Sequence, residues 1–112
     1  MDESGDEGGA MGDVVRILVA DDHPLTRDGI KAALSMDAEL EVVAEASDGQ
    51  EAVDFFTQDN KDRPSIDLVI MDMVMPRKDG VEAFHEIRKM DPLVPVIFSS
   101  GYIDTEQTRK AN

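Results

Sequence analysis

Residues 66–72, Ile66-Asp67-Leu68-Val69-Ile70-Met71-Asp72, decide the fold. From Leu68 to Met71 the run lacks the apolar–polar alternation of a half-exposed strand, so it reads as a strand covered on both faces, as in a parallel sheet flanked by helices. It ends in a carboxylate, which is costly to place after so apolar a run unless something meets it. Upstream, Val14-Val15-Arg16-Ile17-Leu18-Val19-Ala20 has the same near-continuous character and ends in Asp21-Asp22. Around these two runs, amphipathic stretches alternate with β-branched ones, the signature of βαβ units.

Working outward, the spacing predicts a first helix from Pro24 or Thr26 to about residue 36, with Leu25, Gly29, Ile30, Ala33 and Leu34 at helical intervals. A strand over 39–46 follows, its flanking charges suggesting a sheet edge. Asp48-Gly49 punctuates the chain before a short helix over 51–56 and a polar loop over 58–64. The loop Met75-Pro76-Arg77-Lys78-Asp79-Gly80 precedes a third helix over 81–90, on which Val81, Phe84, Ile87 and Arg88 divide an apolar from a charged face. Asp91-Pro92 stops it, a strand over 95–99 follows, and residues 104–112 resemble the first turns of another helix.

The chain has 112 residues, enough for one domain, and 41% of them are hydrophobic, as in ordinary globular proteins. Eleven Lys and Arg against 25 Asp and Glu give a net charge of -14, which repels phosphate backbones and anionic lipid, so neither nucleic acid nor a membrane is an expected partner. There is no cysteine, hence no disulfide, thiolate metal site or cysteine nucleophile. Residues 1–13 are rich in Gly and acids and carry no base, and are expected to be a disordered acidic tail ahead of a domain over 14–112. With neither a signal nor a transit peptide in that segment, a cytoplasmic location is the expectation.

Three strands end in oxygen-bearing residues: Asp21 and Asp22 after the first, Asp72 after the third, Ser100 after the fourth. In open parallel sheets ligands sit outside the carboxyl ends of the strands, so these side chains are expected to converge. Carboxylates crowded there repel one another unless a cation neutralises them, and hard oxygen donors favour Mg²⁺. A carboxylate beside Mg²⁺ can act as a nucleophile toward a phosphoryl group; Asp72, on the most apolar strand, is the candidate.

These same residues carry a family resemblance. Ile-Leu-Val-Ala-Asp21-Asp22-His-Pro, Leu-Val-Ile-Met-Asp72-Met-Val-Met-Pro76 with Asp79-Gly80, and Pro95-Val-Ile-Phe-Ser-Ser100-Gly, in that order and spacing, resemble the receiver domain of two-component response regulators. The resemblance runs from about residue 15 to 102 and implies an α/β, flavodoxin-like three-layer fold with a parallel sheet in the order 2-1-3-4-5. It implies that Asp72 is the phosphoacceptor and Asp22 a direct Mg²⁺ ligand, with Asp21 acting mainly through water. The backbone carbonyl of Val74 completes the protein ligands. Ser100 becomes the phosphoryl contact that moves on activation, with Gly101 the small residue after it; Val74 and Tyr102 fall where the family tunes phosphoryl lifetime, and Pro76 and Gly80 shape the neighbouring loop. The implied partner is a sensor histidine kinase or a histidine phosphotransfer protein, and the implied role a switch rather than a turnover enzyme.

One family feature is not found. A Lys at the end of a fifth strand, about twenty residues after the Ser/Thr, has no counterpart, since Lys110 lies only ten residues past Ser100. The fold is therefore expected to be incomplete, without fifth strand and fifth helix, in a piece of a longer protein. Val96-Ile97-Phe98 would then be an apolar edge through which two chains could dimerise.

Plainer readings compete. Asp21 and Asp22 could cap the first helix; His23 and His85 read as loop and surface residues; Met71, Met73 and Met75 read as packing; Arg77 and Lys78 either attract a phosphodonor or are simply solvated. Two other functions stand beside the switch: an interaction module that needs no phosphorylation, and a Mg²⁺-dependent phosphatase with Asp72 as nucleophile. The phosphatase resembles proteins with a second Asp two residues after the first, where this chain has Val74.

Overall fold

A computed structural model describes residues 14–57 and 64–99. They form β1 (Val15–Ala20), α1 (Pro24–Leu34), β2 (Leu40–Ala46), α2 (Gly49–Thr57), β3 (Leu68–Met71), α3 (Gly80–Met90) and β4 (Val96–Phe98). The elements expected within these residues are all there, with ends shifted by at most two residues. Strand order is β2-β1-β3-β4 and every pair is parallel, with β2 at an edge as its charges suggested. The expectations for residues 1–13, for Ser100, Gly101 and Tyr102, and for a further helix over 104–112 concern residues outside those described.

Connectivity decides which helix covers which face. The crossover from β1 to β2 runs one way along the sheet, while those from β2 to β3 and β3 to β4 run the other, so right-handed connections put α1 on one face and α2 and α3 on the opposite one. Side chains alternate between the faces. Leu18, Ala20, Val69, Met71, Val96 and Phe98 meet Ala52, Val53 and Phe56 of α2 and Ala83, Phe84 and Ile87 of α3 in one buried cluster. Phe84 and Phe98 pack edge to face, ring centroids 6.0 Å apart.

Ile17 and Val19 point to the other face and are fully buried, but α1, which lies on that side against β1 and β2, has no buried residue of its own. Leu25, expected on its apolar stripe, sits in the first turn and is 85% exposed; Gly29 and Ala33 are exposed as well, while Ile30 and Leu34 are partly buried. Val81 likewise turns to solvent, leaving Gly80, Ala83, Phe84 and Ile87 as the inward side of α3. Leu68, Ile70 and Ile97, the outward residues of β3 and β4, are only partly buried. Among the described residues β4 pairs with β3 alone.

Candidate functional site at the carboxyl ends of the strands

Strand register brings the acids together. Ala20 stands opposite Met71, so the next residues, Asp21 and Asp72, leave the sheet side by side. Their backbones are pinned there: Asp72 N–H donates to the Ala20 carbonyl at 2.9 Å and Asp21 N–H to the Ala46 carbonyl at 3.0 Å. Asp21, Asp22, His23 and Asp72 each offer a ligand atom, all within 4.8 Å of one another.

Asp21 is buried and does not cap α1. Its Oδ1 accepts the His23 backbone N–H at 2.8 Å, closing a tight turn, while its carbonyl accepts Arg27 Nη1 at 2.6 Å. The first turn of α1 has no side-chain cap: its N-cap is His23, followed by Pro24 at the position where a missing N–H costs nothing. The capping alternative for both aspartates therefore falls, although Asp21 Oδ1 is committed to the turn at His23. Asp22 Oδ1 is buried with no hydrogen-bond partner, although His23 Nδ1 lies 3.1 Å away without the alignment of a hydrogen bond. A buried carboxylate oxygen without a donor, beside two further carboxylates, fits a divalent cation that takes oxygen ligands.

Asp72 is half-buried, and its Oδ1 accepts the Val74 N–H at 3.3 Å. The Val74 side chain is 77% exposed. Pro76 is exposed; Gly80 is buried, donates its N–H to the Met73 carbonyl at 2.8 Å, and has no room for a side chain, since a Cβ there would lie 2.2 Å from the Asp72 carbonyl.

Sequence reasoning missed two features. His23, read as a plain loop residue, has its Nδ1 3.2 Å from Asp21 Oδ1 and belongs to the cluster; its position directly after Asp21-Asp22 was the available signal. Arg77 and Lys78 are neither free for a donor nor simply solvated: Arg77 pairs with Asp48 and Lys78 with Glu86. The Arg77 hydrogen bonds hold the Asp48 carboxyl below the usual carboxylate range, against the opposing effect of burial. A shallow concavity between α1 and β2, lined by Lys31, Leu34, Leu40 and Val42, lies apart from the acids.

The family model described as the response regulator receiver domain matches residues 17–112. The response regulator protein VraR of Staphylococcus epidermidis is 35% identical over 97 residues, covering 87% of this chain and 44% of that protein. The chain thus spans under half the length of that curated relative. A response regulator receiver domain protein from Clostridium thermocellum superposes with a TM-score of 0.65 at 38% identity, over 76% of this chain and 64% of that one. A CheX-CheY-BeF3-Mg²⁺ complex from Borrelia burgdorferi matches with a TM-score of 0.64 at 27% identity, over 75% of this chain and 60% of the other.

Proposed function

We propose that this chain, which belongs to the response regulator receiver domain family of two-component systems, accepts a phosphoryl group on Asp72 with the help of Mg²⁺ held beside it. The single observation that carries the reading is the convergence of Asp21, Asp22 and Asp72 within 4.8 Å, with a buried Asp22 oxygen that no donor satisfies. Asp22 would hold the ion directly, Asp21 mainly through water, and the Val74 carbonyl would complete the protein ligands. Bound Mg²⁺ supplies positive charge that screens the incoming phosphoryl oxygens.

Asp72 does the covalent work. A carboxylate oxygen attacks the phosphorus of a phosphohistidine on a sensor kinase or phosphotransfer protein; the O–P bond forms, the P–N bond breaks, and the imidazole leaves and takes up a proton. Ser100 would donate to a phosphoryl oxygen, with Gly101 the small residue after it, and Val74 and Tyr102 would tune how long the phosphoryl group survives. The product, an acyl phosphate, biases the domain between two conformations. A phosphatase would need a general acid two residues beyond Asp72, and the exposed apolar Val74 side chain cannot supply one. A dimer through the β4 edge is part of the proposal, and a sedimentation profile of monomer at high concentration would remove it.

Beryllium fluoride, which mimics a phosphoryl group on a carboxylate, tests the site. With Mg²⁺ present, a bound fluorine resonance is expected in the intact chain and absent in Asp72→Asn. A bound resonance that survives that substitution, or that forms equally without Mg²⁺, would reject the assignment.

A further inference from the structure

The loop between β3 and α3 contains a strained turn. Lys78 N–H donates to the Pro76 carbonyl at 2.6 Å, closing a three-residue turn with Arg77 at its centre. Arg77 has φ 66°, the only positive φ among the described residues other than glycine. A three-residue turn of this hand is the rare, strained one, and Arg has none of the features that let Gly or Asn adopt it. Such a residue persists only where its surroundings hold it, and the loop in which it sits starts at Asp72.

The start of α2 holds it. The Arg77 guanidinium grips Asp48 with two hydrogen bonds, Nε to Oδ2 at 2.8 Å and Nη2 to Oδ1 at 3.1 Å. Asp48 is itself buried and caps α2, its Oδ1 accepting the Glu51 N–H at 2.8 Å. Beside it Gly49 admits the loop backbone: a Cβ at that position would lie 1.8 Å from the Lys78 carbonyl. The loop is tied elsewhere by Met75, buried in the core, by the Lys78–Glu86 ion pair, by the Val74 N–H bond to Asp72 Oδ1 and by the Gly80 N–H bond to the Met73 carbonyl.

We propose that the Arg77–Asp48 pair is a latch that fixes the loop carrying Val74 against the start of α2, so that the metal-binding geometry beside Asp72 exists before any ion or phosphoryl group arrives. The inference rests on the reading of Asp72 and Val74 given above, and it makes Arg77 and Asp48 positioning residues that touch neither ion nor phosphoryl group. The guanidinium compensates the unfavourable turn: releasing it lets the chain relax away from φ 66° and frees the loop. A planar fork matched to a carboxylate does this with direction as well as charge, which an ammonium would not.

Two conservative substitutions isolate the latch. Arg77→Asn keeps a residue that tolerates positive φ and loses the fork; Asp48→Asn keeps an oxygen that can cap α2 and loses the charge. In each, amide exchange at Val74 and Gly80 is expected to speed up about tenfold while the amides of β1 and β3 stay protected, and the Mg²⁺ dissociation constant measured by calorimetry is expected to rise several-fold, toward the roughly tenfold loss seen when outer partners of metal ligands are removed. The double variant should be no worse than either single one, because one contact has been lost. Unchanged exchange at Val74 and Gly80 in both variants would overturn the latch, as would losses that add in the double variant. If the intact chain binds no Mg²⁺, the metal reading fails, yet the exchange comparison still decides the latch.

Discussion

Helices α1 and α3 are each eleven residues long and each amphipathic, yet they are held in different ways. α3 buries Gly80, Ala83, Phe84 and Ile87 against the sheet and α2, and its N-terminus is capped by Asp79, which accepts the Glu82 N–H. α1 buries nothing completely and has no side-chain cap; charge secures it, with Arg27 Nε and Lys31 Nζ reaching the two oxygens of Glu45 on β2 at 3.2 and 2.8 Å. An apolar stripe dictates which side of a helix turns inward, but what fills the space beneath it depends on the rest of the fold. The acidic site straddles these two supports, since Asp21 and Asp22 lead into α1 and Asp72 leads toward α3.

The largest effect is expected on the dense side. Ile87→Ala removes a fully buried side chain from the cluster shared by α2, α3 and the sheet, and should cost about 3 kcal/mol, read from urea unfolding. A loss below about 1 kcal/mol would mean that this layer is not the seat of stability. Gly80→Ala comes next, at roughly 2 kcal/mol, because its Cβ would press on the Asp72 carbonyl and the Met73 Cα rather than on a side chain that could turn away. It should weaken Mg²⁺ binding in calorimetry as well, since the backbone that must shift belongs to Asp72.

On the other face, Ile30→Ala should cost about 1 kcal/mol, in keeping with a half-buried side chain. Leu25→Ala on the same helix should stay within about 0.5 kcal/mol. If both changes cost as much as Ile87→Ala, the contrast between the faces is wrong.

The smallest effect is a matter of pH. The Lys31 hydrogen bond holds the Glu45 carboxyl below its usual range, and Glu45 in turn raises the Lys31 ammonium. A lowered carboxyl contributes fully at and above the ordinary carboxylate range and loses that contribution as pH falls below it; the raised ammonium keeps its share until pH climbs past the ordinary lysine range. The difference in melting temperature between the intact chain and Glu45→Gln should therefore be flat from pH 6 to 8 and vanish in strong acid. Taking the difference cancels the opposing gain from relieving a net charge of -14.

Much of the fold was legible because it rests on local signals. The apolar runs at 14–20 and 66–71 read as doubly covered strands, which holds on both faces for Ile17 to Ala20 but for β3 only on the face of Val69 and Met71, and alternation with amphipathic stretches made the sheet parallel. The acids at the strand ends were legible for the same reason, since a parallel register carries strand ends to one edge. The strand order came only with the family resemblance, because hydrophobic pattern does not say which strand is central. The shallow seat of α1 was not legible, as its stripe looks like that of α3. Nor was the latch: Asp48 and Arg77 are 29 residues apart, Asp48-Gly49 reads locally as punctuation, and in Pro76-Arg77-Lys78-Asp79-Gly80 the positive φ would be assigned to Gly80.

The most direct test of the central claim is intact mass after incubation with acetyl phosphate, with and without Mg²⁺, on this chain and on Asp72→Asn. The account predicts one phosphoryl adduct that needs Mg²⁺, is released by hydroxylamine as an acyl phosphate should be, and is absent from the variant. A folded chain that gains no adduct, or one that gains it equally after Asp72→Asn, would contradict it.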